Sequence, residues 1–527
     1  MDANYEKMSE AFLTFLRRER FSTVWVSMNR NSIFALLYAA PLLLLSGVSH
    51  AQNTAATGEI SPSKATSNFK ATPLFSPSQI SLATLKNGVR GIVKSTSSGD
   101  VVNIQVWARA GSRFETDRES GAAHVIELLA LRGSKNYPAA SGGDDDGGAI
   151  GAIRALGGDA GSLTSRDSTF YSATVAAPYA DRALRILADA TLRPDLSASA
   201  IEDAKIQAAD DIARRAFDPV ASASDLAYAT AFSKHPYRRA ALGSDNSVAA
   251  LSAQTVRAFY QKNYVGANLR VVVVGQIAPV AAQKLIAQNF GGASAKPAPP
   301  QNLKVGAEAP LKADVVARRR PVSREVIDLA WRSPGITNPA DCVALDTLLA
   351  LWAEGLDANL RRILLRDGEK GPLLPLVSSY DVDYLTQRDA GLFIVSLVDA
   401  TDREAAVQAV LEELRRVRDK GITPEELARA KAQLRNQYLE QGDTVAGQAG
   451  SLGFYDTISS HRFAVEYLDL CARVTAADVQ RVANKYLSPD RFVRAEIAPL
   501  PRPRPEDDSQ GPVITAKLEG TRMEVTR

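Results

Sequence analysis

The chain is short of cysteine, of histidine and of long apolar runs, and each shortage closes off a class of function. Among its 527 residues there are two cysteines, Cys342 and Cys471. Two thiols cannot build a disulfide framework or a thiolate zinc cluster. They could pair in an oxidising compartment, but two separate buried thiols fit the usual behaviour of free cysteine better. The formal net charge is only +3, which gives no argument for a nucleic-acid partner. Neither a charge excess nor a lack of apolar residues marks the chain as disordered. The length exceeds what one core of ordinary size can serve, so at least two domains are expected.

Beyond Val48 no segment approaches a membrane span. The exception lies near the start. Arg30 is followed by an uncharged, mostly apolar run from Ser32 to Val48, then by Ser49-His50-Ala51 before Gln52. A basic residue, an apolar stretch and small residues in that order describe a secretory signal peptide. The run is barely long enough for an uncleaved anchor, and the small residues favour cleavage after Ala51, with Met28 as an alternative start. Residues 1–51 therefore read as a signal region. The mature chain is expected to be periplasmic or secreted, with no membrane segment of its own.

Residues 52–79 are rich in Ser, Thr, Ala and Pro and read as a flexible leader. Apolar patterning then predicts strands at 81–85, 89–93, 101–110, 160–164, 168–175 and 269–274. Helices are predicted at 121–131, 179–192, 197–215, 221–232, 253–264 and 280–289. A proline-rich joint at 292–310 reads as a linker. The second half repeats the order, with strands at 326–330, 376–382, 391–397 and 492–497 and helices at 341–352, 358–366, 403–420 and 424–441. The repetition suggests a duplicated α+β unit with domains at 80–291 and 311–500 and a tail at 501–527.

After signal cleavage the remaining histidines are His124, His235 and His461. On a helix, positions i, i+3 and i+4 share a face, so His124, Glu127 and Leu128 point the same way. An inverted zinc motif, H-x-x-E-H, uses this spacing: two histidines hold the metal and the glutamate activates water. Here the first histidine and the glutamate stand, and Leu128 replaces the second histidine. Alone the pair is a weak signal, because most such residues are surface or capping groups. The surroundings carry more. Gly111-Ser112-Arg113-Phe114-Glu115 precedes the segment, and Leu131-Arg132-Gly133-Ser134 follows it. Thr164-Ser165-Arg166-Asp167-Ser168 and His235-Pro236-Tyr237 come later. This ordered series resembles the pitrilysin/insulinase metallopeptidase family, including its processing-peptidase branch.

The resemblance implies two homologous α+β domains, each an antiparallel sheet with helices packed on one face, forming a clamshell around a peptide-sized cavity. It implies zinc as cofactor, His124 as first ligand, Glu127 as general base and Leu128 at a lost ligand position. The third ligand, a carboxylate a few residues before Asp218-Pro219, falls on Asp211, one methylene shorter than the expected glutamate. That count needs an insertion, for which the Asp144–Asp146 glycine loop is the candidate. The loop could itself bind calcium, although a solvated loop is the commoner outcome. Arg366 matches the arginine that grips substrate backbone, shifted by one position and without its tyrosine. Catalytic zinc needs three protein ligands, so a chain with one imidazole and a shortened carboxylate is expected to hold zinc poorly. The expected function is that of an exported, inactive homologue that binds peptides or pairs with an active family paralogue or with itself. The alternative is an active zinc metalloendopeptidase with an unorthodox site, zinc polarising the scissile carbonyl while Glu127 takes a proton from water.

Overall fold

The structure is a computed structural model that describes residue 75 and residues 77–501, except 98, 141–146, 354, 356 and 366–373. The signal region, most of the leader, the Asp144–Asp146 loop, Arg366 and the tail beyond 501 lie outside these residues.

Strands gather into two sheets, one in each half. The first contains β1 (Ile80–Thr84), β2 (Arg90–Ser95), β3 (Val101–Ala108), β4 (Asp159–Thr164), β5 (Thr169–Ala176) and β6 (Leu269–Gly275), in the order β1-β2-β6-β3-β5-β4. The second contains β7 (Asp314–Arg320), β8 (Val326–Arg332), β9 (Ser379–Tyr384), β10 (Leu392–Val398) and β11 (Val493–Pro499), in the order β7-β11-β8-β10-β9. The pairing is antiparallel except for one parallel pair in each sheet, β2 with β6 and β7 with β11. Both parallel pairs join strands far apart in sequence, where helical connections give the chain room to return in the same direction.

The helices of the first half are α1 (Ala122–Arg132), α2 (Gly148–Arg154), α3 (Ala180–Leu192), α4 (Ala198–Phe217), α5 (Pro219–Ala231), α6 (Asp245–Ala249), α7 (Ala253–Asn263) and α8 (Pro279–Phe290). Those of the second are α9 (Pro339–Ala353), α10 (Asn359–Leu364), α11 (Arg403–Lys420), α12 (Pro424–Gln441), α13 (Val445–Ile458), α14 (Arg462–Arg473) and α15 (Ala476–Tyr486). Among the described residues no helix is long and apolar enough to cross a membrane.

Strand β6, with four consecutive valines, is buried along its whole length, so its sheet needs cover on both faces. One face is covered by helices of its own half. Val102, Ile104 and Val106 of β3 join Val271 and Val273 and the buried faces of α1, α3, α7 and α8. The other face is covered by the second half: Trp107, Val272 and Val274 share a core with residues of α13. The odd positions of β3 are partly polar, yet Gln105 donates to the Ala446 carbonyl at 3.1 Å and accepts from the Trp107 indole at 2.8 Å. In return, α5 of the first half lies on the second sheet, where Ala227 and Ala231 allow close approach to Ala330, Val493 and Ala495. The expectation of helices on one face thus holds for each half alone, and the exchange of α5 and α13 covers the other faces.

Candidate functional site

Helix α1 carries the motif and starts abruptly at Gly121, whose φ of 93° suits glycine. Its free N–H groups are met by the buried Glu115 carboxylate, which accepts from Gly121 at 3.1 Å and Ala123 at 2.9 Å. Burial is the larger influence and pushes the Glu115 carboxyl up to about 7, against the pull of these two donors. Ala122, Ala123, Val125, Ile126 and Leu129 anchor the helix in the first-half core. His124 and Glu127, 4% and 6% exposed, sit on the side of α1 that meets α4. Helix α4 ends at Phe217 because Asp218 caps the next helix, its carboxylate accepting from Val220 and Ala221, with Pro219 in the first turn.

His124 stands between two carboxylates. Its Nδ1 is 3.1 Å from Glu127 Oε2 and its Nε2 is 3.2 Å from Asp211 Oδ2. Burial, taken first, would favour the neutral ring, but the two carboxylates outweigh it and hold the imidazole up to about 9. The Asp211 carboxyl is held below its ordinary range: burial raises it, and the hydrogen bonds of His124 and Arg214 pull it further down. Arg214 also pairs with Asp211 from the exposed side. Both nitrogens of His124 thus face carboxylate oxygens, which favour the protonated ring over one that offers a lone pair to a metal.

This donor set does not fit catalytic zinc. Glu127 and Asp211 lie on opposite edges of the ring, so their oxygens do not converge with a free nitrogen on one point. Among the described residues no three His, Cys, Asp or Glu side chains are arranged to hold a metal ion. Leu128 instead packs, partly buried, against the first-half core. Zinc would have to displace the ring proton, turn the ring and recruit a further ligand.

The other histidines are engaged elsewhere. His235 Nε2 is 3.1 Å from Asp389, and His461 Nδ1 is 3.1 Å from Asp456. Both belong to the contact between halves, where several motif residues are also found. Arg113, fully buried, grips Asp389 at 2.6 and 2.8 Å. Asp167 accepts from the Tyr237 hydroxyl at 2.7 Å and the Arg388 N–H at 3.0 Å. Arg109 donates to the Thr457 carbonyl at 2.7 Å and the Asp456 carbonyl at 3.1 Å, at the end of α13. Much of the motif series therefore fastens the two halves together. Cys342 and Cys471 are free and buried, each thiol pushed up to about 12 by burial.

Two family models match in succession: the insulinase family, peptidase family M16, over residues 90–245 and the M16 inactive domain over residues 250–434. A probable beta subunit of the mitochondrial processing peptidase from Arabidopsis thaliana is 24% identical over 449 residues, covering 81% of this chain and 80% of that protein. An uncharacterised zinc protease from Streptomyces coelicolor is 27% identical over 424 residues, covering 77% and 86%. Among solved structures, a protease from Helicobacter pylori superposes with a TM-score of 0.72 at 21% identity, over 80% of this chain and 99% of that one. A peptidase M16 inactive domain from Pseudomonas fluorescens gives 0.69 at 20% identity, over 81% and 100%. With two sheets of matching construction and its motif helix in the first half, the chain belongs to the insulinase family of peptidases, family M16.

Proposed function

We propose that the chain is a non-catalytic member of its family, exported after cleavage at Ala51, that binds peptides or pairs with an active family subunit. The carrying observation is the His124 site: Leu128 holds the place of a ligand, and the remaining imidazole is closed between Glu127 and Asp211. Pairing draws support from relatives named as beta subunits of a processing peptidase. The second reading, an active zinc peptidase, is favoured by one observation: residues 87 positions apart still meet at this site. The two readings separate in one experiment, incubation of the mature protein with unstructured peptides, followed by binding and by cleavage. Binding without cleavage is expected. Cleavage that a chelator abolishes would establish the second reading instead.

A further inference from the structure

The two halves build the same place twice. In the first, α1 packs against α4, α7 and the edge strand β4; in the second, α9 packs against α12, α15 and the edge strand β9. Helices α4 and α12 share the run Ala-Lys-x-Gln, at Ala204–Gln207 and Ala430–Gln433, which sets Gln437 at the position of Asp211. Each first helix turns one carboxylate into the space, Glu127 on α1 and Asp346 on α9.

The first space is closed by its own charges, whereas the second is a cavity of about 80 Å³, several times the roughly 10–15 Å³ that one water needs. Asp346, Gln437, Gln441, Ser451, Tyr455 and Tyr467 are among its lining residues, and no Lys, Arg or His is. The Tyr467 hydroxyl donates to Asp346 Oδ2 at 2.9 Å and fixes the carboxylate. Among the described residues Asp346 Oδ1 has no hydrogen-bond partner, nor have the side-chain amides of Gln437 and Gln441. Ser451 and Tyr455 are each 7% exposed and line the cavity with hydroxyls that no described residue meets. These polar groups border the opening and are free to take partners from a ligand. The aromatic wall includes the stacked Tyr438–Tyr467 pair, centroids 5.3 Å apart. The acidic side chains of Asp346 and Asp383, tyrosine faces and free acceptors form a receptor for a compact organic cation. Val382, Asp383 and Tyr384 of β9 also border the cavity, and β9 ends its sheet. An extended peptide could add to that edge and set a side chain into the opening.

We propose that this cavity binds the ammonium or guanidinium end of a basic residue in a peptide laid along β9. The proposal rests on the peptide-binding reading above and names what the second half selects.

The test titrates the mature chain with blocked lysine, blocked arginine and blocked norleucine, and separately with long peptides containing or lacking basic residues. Blocked lysine or arginine is expected to bind at least about tenfold more tightly than norleucine. Asp346→Asn, which keeps the Tyr467 hydrogen bond, and Gln437→Lys, which supplies a competing ammonium, should each remove that preference. A melting curve accompanies both variants, and each is read only if folded. Equal binding of norleucine, no binding of either cation at millimolar concentration, or an unchanged preference in both variants overturns the proposal. If long peptides bind the wild type and Asp346→Asn alike while the blocked cations do not bind, the cavity assignment falls and peptide binding stands. If blocked lysine binds and no long peptide does, the cavity stands and the peptide-binding reading falls.

Discussion

The spaces beside α1 and α9 have the same neighbours and opposite electrostatics. Beside α1, the Glu127 and Asp211 carboxylates are balanced by His124 between them together with Arg214, which pairs with Asp211 from outside. Beside α9, Asp346 has, among the described residues, only the Tyr467 hydroxyl for a partner, and burial, which that hydrogen bond only partly offsets, pushes its carboxyl up to about 7. A charge satisfied from within holds a fold together. A charge left without a counterion in a cavity weakens the fold and is useful for binding. The comparison teaches that equivalent places in the two halves differ in whether their acidic groups find partners within the fold.

The comparison can be broken most forcefully at the exchange that joins the halves. A Cβ at Gly453 would overlap the indole of Trp107, so Gly453→Leu is expected to destabilise the chain by about 3 kcal/mol or more. Thermal denaturation checks this, and loss of a single cooperative transition would show that the halves depend on α13. Glu127→Gln comes next: it leaves the buried His124 with one carboxylate, and a loss of about 3 kcal/mol is expected at pH 7.

Asp346→Asn should act with the opposite sign. The raised carboxyl adds stability that is complete below the unfolded value near 3.8 and is lost as pH rises through about 7. The variant should therefore melt higher than wild type at pH 8, by about 2 kcal/mol, keep only part of that advantage at pH 5, and lose it below the unfolded value near 3.8. Tyr467, Tyr384, Tyr455, Cys342 and Cys471 surround Asp346, and burial raises all five out of this window. Asp383, on the same cavity, is also pushed up to about 7 by burial, so Asp383→Asn serves as the control that separates its titration from that of Asp346. If Glu127→Gln and Asp346→Asn shift stability in the same direction, the contrast between the two spaces is wrong. The smallest effect belongs to Arg214→Ala: its side chain is 70% exposed, so a change within about 0.5 kcal/mol is expected by chemical denaturation.

The first half was the more legible in sequence. Apolar patterning marked β3 and β5, and it marked both strands of the β1–β2 hairpin. Counting back from Asp218-Pro219 singled out Asp211, whose carboxylate the structure puts 3.2 Å from His124. The starts of α11 and α12 follow from their N-caps, Asp402 and Thr423, and their ends from Gly421 and Gly442. Helix α13 was not foreseen, because Gly447, Gly450 and Gly453 give it a poor intrinsic propensity. It forms because every residue from Gly447 to Ile458 is buried, and tertiary packing overrides local preference. Strand β7 was missed for the reverse reason: it is an exposed, arginine-rich edge whose only signal is its pairing with β11. The closure of both His124 nitrogens was invisible too, since it depends on how α1 and α4 meet rather than on spacing within either.

The most direct test of the central claim is the zinc content of the purified mature protein after mild dialysis, with Leu128→His measured beside it. A site closed by its own charges predicts less than a tenth of an equivalent, about a tenfold deficit, in the wild type, with metal regained in the variant. Stoichiometric zinc in the wild type would contradict the account, because His124 would then have to give up its carboxylates to a metal that Leu128 cannot help to hold.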